Sequence, residues 1–353
     1  MDDLGAKDGR LGLVSDEGPV DPLALVKHRL QELERRPGAE EGEKWGLAEI
    51  QSEMTGRQMA NYRRSIEEVI TERGSTDLSP NILFEAADRS LAGQVSTSRA
   101  RVGILSGTMN PIHYGHISAA LAAILGQDLK GVFLAAGGAV PDKPYSVGFT
   151  PRNEMLKMVT QSEQLGRWLG VTPLRQQAVD LFTQDENMAR IAGKDEIARR
   201  SNMDLVAFIW LFRANPCATW VFIVGSDKIS GYGRKGESSL IAETLGDPRA
   251  RARILYYVRQ GQSVDVSNDI VPYDWLLRRW QTGFFELSTL PTCALSASEI
   301  RAALAAGRNH VAGIALSNCL PSEVLTYIRK NESLLSSYLI ESQAQARLDV
   351  RGQ

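Results

Sequence analysis

Two of the four histidines in this 353-residue chain, His113 and His116, lie in the segment 106–116, Ser-Gly-Thr-Met-Asn-Pro-Ile-His-Tyr-Gly-His. The segment starts where a short apolar run ends and leads into a helical pattern. Histidines three residues apart share one side of a helix, and the first turn of a helix has unpaired N–H groups that attract phosphate. Imidazole N–H groups add hydrogen bonds, while Gly107 and Gly115 let a ligand approach the backbone closely. The segment therefore predicts a phosphate-binding turn.

A second segment, 295–301, Leu-Ser-Ala-Ser-Glu-Ile-Arg, has the residue types to bind the same kind of anion. Ser296 and Glu299 have the spacing of a capping box, which any helix could use. Ser298 and Arg301 add a hydroxyl and a guanidinium to the free amides of the first turn, a set that suits pyrophosphate. Two such helix starts predict one triphosphate held from two sides. No acid or cysteine stands at ligand spacing beside the histidines, so we expect no protein-bound metal.

These segments need a scaffold that brings strand ends and helix starts together. Short apolar runs alternate with helical patterns from residue 101 onwards, as buried parallel strands covered by helices on both faces do. The alternation predicts an α/β fold with a Rossmann-like open parallel sheet, in which ligands bind at the carboxyl ends of the strands. The predicted strands are 102–105, 131–135, 220–224, 254–258 and 284–287.

The composition and the hydrophobic pattern of the chain change near residue 100. The start is rich in Asp and Gly and has no periodicity, whereas helical patterns follow it before the first predicted strand. We predict a disordered tail at 1–22, a small helical N-terminal extension at 23–99, a main domain at 100–339 with a helical insertion at 174–202, and a C-terminal tail at 340–353.

Composition limits the function classes. The chain has 40 Lys+Arg and 42 Asp+Glu, a balance that does not indicate a nucleic-acid or membrane surface. Its three cysteines, without a Cys-x-x-Cys pair, fit a reducing compartment. No signal-peptide pattern or apolar stretch of roughly 18 residues occurs. We therefore expect a cytoplasmic protein with small-molecule partners, no membrane and no nucleic acid, and leave open whether it forms a homo-oligomer.

The first segment resembles the signature of the HxGH nucleotidyltransferases, and the whole pattern resembles the nicotinate or nicotinamide mononucleotide adenylyltransferase family. The sequence departs from that family with Met109 in place of a usual Phe and Ser106 in place of a common second Gly. Further segments match the family in the same order along the chain. They are 134–144 with Pro-Asp-Lys, 151–156 with Arg-x-x-Met-Leu, 222–227 with Gly-x-Asp, 258–261 with Arg-x-Gly, and 295–301.

The resemblance implies a nucleotidyltransferase of NAD biosynthesis that joins ATP to a pyridine mononucleotide and releases pyrophosphate, with Mg²⁺ accompanying ATP. It implies catalytic roles for His113, His116 and Arg301. Implied ATP contacts are Gly107, Thr108, Met109, Gly115, His116, Gly225, Asp227, Ser296, Ser298 and Arg301. Implied contacts with the second substrate are Asn110, Lys143, Arg152 and Arg259.

Alternatives remain within and outside this family. Phosphopantetheine or cytidylyl transfer uses related motifs, whereas class I aminoacyl-tRNA synthetases need a Lys-Met-Ser-Lys-Ser loop that is missing here. A regulator that binds NAD or ATP without turnover is the other class, with residues 48–72 as a helical DNA- or protein-binding module. The sequence does not choose between nicotinate and nicotinamide, and it does not identify which of several tryptophans stacks on a ring.

Overall fold

The computed structural model describes residues 10–11, 20–36, 50, 55–74, 78–95, 99–137, 147–183, 186–191, 196–229, 240–260, 264–288, 290 and 292–351. The strands are β1 (Arg10–Leu11), β2 (Arg101–Gly107), β3 (Gly131–Ala136), β4 (Leu169–Val171), β5 (Thr219–Gly225), β6 (Ala252–Tyr257), β7 (Val264–Asp265), β8 (Phe285–Leu287), β9 (His310–Val311) and β10 (Ile314–Ala315). The helices are α1 (Pro22–Glu34), α2 (Gly56–Arg73), α3 (Pro80–Ser90), α4 (Tyr114–Gln127), α5 (Phe149–Gln161), α6 (Leu174–Thr183), α7 (Glu186–Ile191), α8 (Glu196–Ala214), α9 (Leu240–Gly246), α10 (Val266–Asp269), α11 (Asp274–Gln281), α12 (Ala297–Ala305), α13 (Leu316–Cys319), α14 (Ser322–Lys330) and α15 (Glu332–Arg351).

Six of these strands form one parallel sheet in the order β4-β3-β2-β5-β6-β8. Numbered along the chain, this is the 3-2-1-4-5-6 order of doubly wound folds, and the predicted fold class is confirmed. The order reverses direction between β2 and β5. At such a switch point the connections leave to opposite faces of the sheet and open a crevice at the carboxyl ends of the strands.

Each face of the sheet carries its own hydrophobic core, because successive strand residues point to opposite sides. In β5, Trp220, Phe222 and Val224 belong to the core that also contains residues of α2, α3, α6 and α8, while Val221 and Ile223 belong to the core that contains residues of α1, α4, α5, α12, α14 and α15. Burial on both faces explains why the strands are continuously apolar. The sequence analysis missed one sheet strand, the three-residue edge strand β4.

The predicted N-terminal extension has no separate core of its own among the described residues. Helix α1 packs on α4 at one face of the sheet, whereas α2 and α3 join α8 at the other. Most of the predicted disordered tail lies outside the described residues, but Arg10–Leu11 pairs antiparallel with Val264–Asp265 as a short strand. Helices α1, α2 and α3 therefore contribute to the cores on both faces of the sheet.

The predicted C-terminal tail from residue 340 is wrong, since α15 runs without a break from Glu332 to Arg351. Leu334, Tyr338 and Glu341 are all buried, and their spacing of four and three residues places them on one helical face. The predicted insertion at 174–202 corresponds to α6, α7 and the start of α8, and α6 lies against α8 and β3. Across the described ranges, no helix has both the length and the apolar character needed to cross a membrane.

Candidate active site

A cleft of about 370 Å³ opens at the carboxyl ends of β2 and β5, at the point where the strand order reverses. Its walls come from the turn between β2 and α4, the end of β5, the residues after β6 and the start of α12. Most residues that the sequence analysis selected line this cleft. They are Gly107, Thr108, Met109, Asn110, His113, His116, Gly225, Asp227, Arg259, Ser296, Ser298 and Arg301.

His113 is the N-cap of α4 and is almost completely buried. Its Nδ1 accepts a hydrogen bond of 3.1 Å from the backbone N–H of Gly115. Burial lowers the pKa of His113 well below its ordinary value, and the neighbouring His116, Arg259 and Arg301 lower it further. The ring is therefore neutral at pH 7. Because Nδ1 accepts, the proton is on Nε2, which makes this atom a hydrogen-bond donor.

The spacing His-x-Gly-His has a geometric reason. The rings of His113 and His116 lie with their centroids 3.9 Å apart and their planes tilted by 36°. A Cβ atom on Gly115 would lie 2.8 Å from both Cε1 and Nδ1 of His113, closer than real side-chain carbons approach. Glycine at this position therefore makes room for the His113 ring beside the helix start.

The start of α12 faces the same cleft. Ser296 is its N-cap, but among the described residues no side-chain hydrogen bond caps the helix, so the Ser296–Glu299 capping box is not formed. Ser296, Ser298 and Arg301 line the cleft with the first turn of the helix. The positive end of the helix dipole and these donors all favour an anion.

Arg301 is buried, and several side chains hold it. Its Nη1 donates to the carbonyl oxygen of Asn110 over 2.5 Å, and its Nη2 lies 2.6 Å from Oε1 of Glu341. Burial lowers the pKa of Arg301 from its ordinary value, whereas the Glu341 carboxylate acts in the opposite direction. The contact with Asn110 joins the two segments that the sequence analysis singled out.

The end of β5 supplies a carboxylate. Asp227 lies in a short 3₁₀ helix after Gly225, and a Cβ atom on Gly225 would overlap Oδ1 of Asp227. The carboxylate is half exposed and lies 3.5 Å from the ammonium of Lys228. Carboxylates at strand ends in nucleotide-binding folds accept hydrogen bonds from ribose hydroxyls.

Arg152, which the resemblance assigns to the second substrate, is 1% exposed and does not line the cleft. Its guanidinium donates to the carbonyl oxygens of Val147, Gly148 and Thr108, so it fixes the cleft loop from behind. Lys143 lies outside the described residues.

Arg175 of α6 is a cleft residue that the sequence analysis did not find. Its Nε and Nη2 form two bonds of 2.6 Å with the carboxylate of Asp204 in α8, and its Nη1 donates to the hydroxyl of Ser106. A Cβ atom on Gly137 would lie 3.1 Å from Nη1. The only sequence signal was Ser106 itself, a departure from the family pattern, since Arg175 and Asp204 have no motif spacing.

None of the five tryptophans that the structure describes lines the cleft. Trp168, Trp210 and Trp220 are core residues, and Trp275 and Trp280 pack at the edge of a core. The aromatic rings that line the cleft in the described chain are those of Phe208, Phe222 and Tyr257.

Known proteins that are similar to this chain carry the name of the family that its motifs resemble. The chain is 28% identical over 236 residues to "Probable nicotinate-nucleotide adenylyltransferase" of Neisseria gonorrhoeae (strain NCCP11945), covering 65% of this chain and 96% of that protein. The corresponding protein of Neisseria meningitidis serogroup B (strain ATCC BAA-335 / MC58) is 25% identical with the same coverage. No protein-family model matches the sequence.

One similar solved structure is Plasmodium falciparum nicotinic acid mononucleotide adenylyltransferase complexed with NaAD. It has a TM-score of 0.39 and 16% sequence identity, and covers 65% of this chain and 95% of that one. This overlap is loose, so the assignment of the fold depends on the strand order.

The parallel sheet, its switch-point cleft and the His-x-Gly-His turn are features by which this chain resembles the nucleotidyltransferases of the HxGH class. Within that class, the Neisseria relatives confirm the resemblance to the nicotinate-nucleotide adenylyltransferase family that the motifs indicate.

Proposed function

We propose that this chain transfers the adenylyl group of ATP to nicotinate mononucleotide, giving the nicotinate adenine dinucleotide and pyrophosphate. The observation that carries the proposal is the shared cleft. The His113–His116 turn and the Ser296–Arg301 helix start, far apart in sequence, line one opening at the switch point of the sheet. The names of the Neisseria relatives support nicotinate mononucleotide as the acceptor.

The reaction needs one bond to form and one to break. An oxygen of the mononucleotide 5′-phosphate forms a bond to the α-phosphorus of ATP. The bond from that phosphorus to the α–β bridging oxygen breaks, and pyrophosphate leaves with the electron pair. Such a transfer depends on positioning and on charge stabilisation rather than on a protein nucleophile.

The cleft residues suit these two tasks. Nε2 of His113 would donate to a phosphate oxygen as a neutral group, and His116 would stabilise charge at the α-phosphate and the leaving oxygen. Ser296, Ser298 and Arg301, with the amides of the α12 start, would hold the β- and γ-phosphates. These donors are in place before ATP arrives, so little reorganisation is needed during the reaction.

The remaining residues divide between the two substrates. Asp227 would accept hydrogen bonds from the ribose of ATP, and Arg259 would bind the phosphate of the mononucleotide. The Asn110 side chain faces Glu341, to which its Nδ2 donates over 3.0 Å, so we assign it to the wall of the cleft.

Mg²⁺ fits this site as a companion of ATP. In the part of the chain that the structure describes, no group of three or more His, Cys, Asp or Glu side chains is placed to hold a metal ion. Mg²⁺ is commonly bound through substrate phosphates and only one or two carboxylates, and here it would withdraw negative charge from the polyphosphate. Two carboxylates from the described ranges line the cleft, those of Asp204 and Asp227, and Arg175 occupies both oxygens of Asp204, so Asp227 is the candidate ligand.

Pyrophosphate release tests the proposal. The full chain is given ATP and Mg²⁺ with nicotinate mononucleotide, nicotinamide mononucleotide or phosphopantetheine, each offered separately, and with CTP in place of ATP. We expect release that depends on a pyridine mononucleotide, with the higher kcat/KM for the nicotinate form. Binding of ATP without release of pyrophosphate under any condition would reject the proposed enzyme activity in favour of a regulator.

The three free cysteines support a cytoplasmic location for the reaction.

A further inference from the structure

The C-terminal helix α15 delivers a buried carboxylate to the junction of the two phosphate-binding segments. Oε1 of Glu341 lies 2.6 Å from Nη2 of Arg301, and Oε2 accepts a 3.0 Å hydrogen bond from Nδ2 of Asn110. Arg301 in turn donates through Nη1 to the carbonyl oxygen of Asn110. The three residues thus form a closed triangle, with Asn110 in the β2–α4 turn and Arg301 in α12.

Burying these three polar groups costs free energy unless every one of them has a partner. Glu341 is 8% exposed, Arg301 6% and Asn110 1%. A buried carboxylate and a buried guanidinium lose their hydration, so each is tolerated only with a good partner. Here both carboxylate oxygens are used, one by each phosphate-binding segment. The pairing therefore links the positions of the two segments.

Glu341 contacts Arg301 without being part of the cleft lining. Arg301 and Asn110 line the cleft, whereas Glu341 does not. A carboxylate inside the cleft would repel a polyphosphate, but one outside the lining orients the guanidinium without facing the ligand. Within the described chain, Asn110, Ser298 and Glu341 are the hydrogen-bonding or ionic partners of Arg301, and three contacts leave N–H groups of the five-donor guanidinium for an anion.

We infer that Glu341 is a positioning residue for adenylyl transfer. It fixes Arg301 and the Asn110 turn relative to each other, so that the distance between the histidine pair and the α12 start matches a triphosphate before ATP binds. The C-terminal helix is then part of the active-site framework. The inference rests on the proposed function and adds to it a residue that never touches substrate.

The experiment compares Glu341→Ala and Glu341→Gln in the full chain, with KM for ATP and kcat measured from pyrophosphate release. Glutamine keeps the size of the side chain and one good acceptor but places an amide N–H₂ beside the other donor. We expect KM for ATP to rise about 10- to 100-fold in Glu341→Ala and by less in Glu341→Gln. The matched control is Glu332→Gln, which removes an exposed carboxylate from the same helix and should leave both constants unchanged.

A double-mutant cycle keeps the test decisive even where a variant loses stability. In Arg301→Gln no guanidinium remains to be positioned, so adding Glu341→Gln should have little further effect on KM for ATP. The same effect of Glu341→Gln in both backgrounds overturns the inference. Wild-type constants in Glu341→Ala also overturn it, as does a gain in kcat/KM, which would mean that the carboxylate competes with the triphosphate.

Failure of the proposed function would give a different result. In that case the unaltered chain releases no pyrophosphate with either pyridine mononucleotide. ATP affinity, measured by calorimetry on the same variants, then takes the place of KM and decides whether Glu341 positions Arg301.

Discussion

Replacing Gly115 by alanine tests the His-x-Gly-His geometry with one added methyl group. The new Cβ atom would lie 2.8 Å from two ring atoms of His113. His113 is buried, and its Nδ1, one of those two atoms, also accepts the hydrogen bond from the Gly115 N–H. The ring therefore has to move, and its Nε2 moves with it.

The size of the effect follows from that displacement. Moving from 2.8 Å to the 3.4 Å of an ordinary contact means a retreat of about 0.6 Å for the ring. Misplacing a catalytic group by about 1 Å costs on the order of 100-fold in rate, so we expect kcat/KM to fall roughly 10- to 100-fold. The free energy of unfolding should fall by no more than about 2.5 kcal/mol, because the better helix propensity of alanine, about 0.5–1 kcal/mol, offsets part of the overpacking, about 1–3 kcal/mol.

The assay is pyrophosphate release under saturating mononucleotide, beside a thermal melt of the same protein. Gly126→Ala is the matched control, since Gly126 lies in the same helix and its added Cβ would meet, among the described residues, only Leu290 Cδ1, at an ordinary 3.7 Å. That variant should be slightly more stable and equally active. Unchanged kcat/KM in Gly115→Ala would refute the reasoning that the glycine exists to place His113.

Four other changes test separate parts of the site. His116→Ala should fold normally and lose about 100- to 1,000-fold in kcat/KM, as removal of a preorganised donor does; normal turnover would contradict its role. The pKa of His113 is lowered in the folded chain, so below about pH 6.5 the unfolded chain binds more protons than the folded chain. The free energy of unfolding therefore decreases as the pH is lowered, by up to about 1.4 kcal/mol per pH unit. His113→Asn keeps a cap acceptor without the titration, and chemical denaturation at pH 5, 6 and 7 should show a flatter profile for it. Arg152→Ala leaves three backbone carbonyls without their donor and should lower the free energy of unfolding by at least about 3 kcal/mol, measured by denaturant titration. Gly225→Ala should displace Asp227 and raise KM for ATP about 10- to 100-fold, with a smaller effect on the KM for mononucleotide.

Ser106 departs from the family pattern, and the structure gives a reason for the departure. In the sequence it is only a serine where a second glycine is common. In the structure its hydroxyl accepts from Arg175, which Asp204 holds with two further bonds. The serine therefore connects β2 to the α6–α8 region. A glycine at 106 would leave Nη1 of Arg175 without this partner.

Glu341 illustrates the reverse case, a residue with no signal in its local sequence. The segment around it is polar and weakly periodic, so the sequence analysis assigned it to a tail. Its burial follows from Leu334 and Tyr338 on the same helical face, which anchor α15 in the core. Contact between residues 110 and 341 depends on the whole fold and leaves no trace in spacing.

Features that depend on neighbouring residues along the chain were predictable from the amino-acid order. Apolar runs, turn glycines, the histidine pair and the start of α12 are local patterns, and local physics places phosphate-binding groups where strands end and helices begin. The tertiary structure alone decided which ends share a cleft and which charged groups face it. Strand order brought Gly107 and Gly225 into one cleft. Packing turned Arg152 away from that cleft, placed Arg175 in its lining, and set Glu341 against Arg301 outside the lining. Buried charges take whichever partner the completed fold offers, and those partners are distant in sequence.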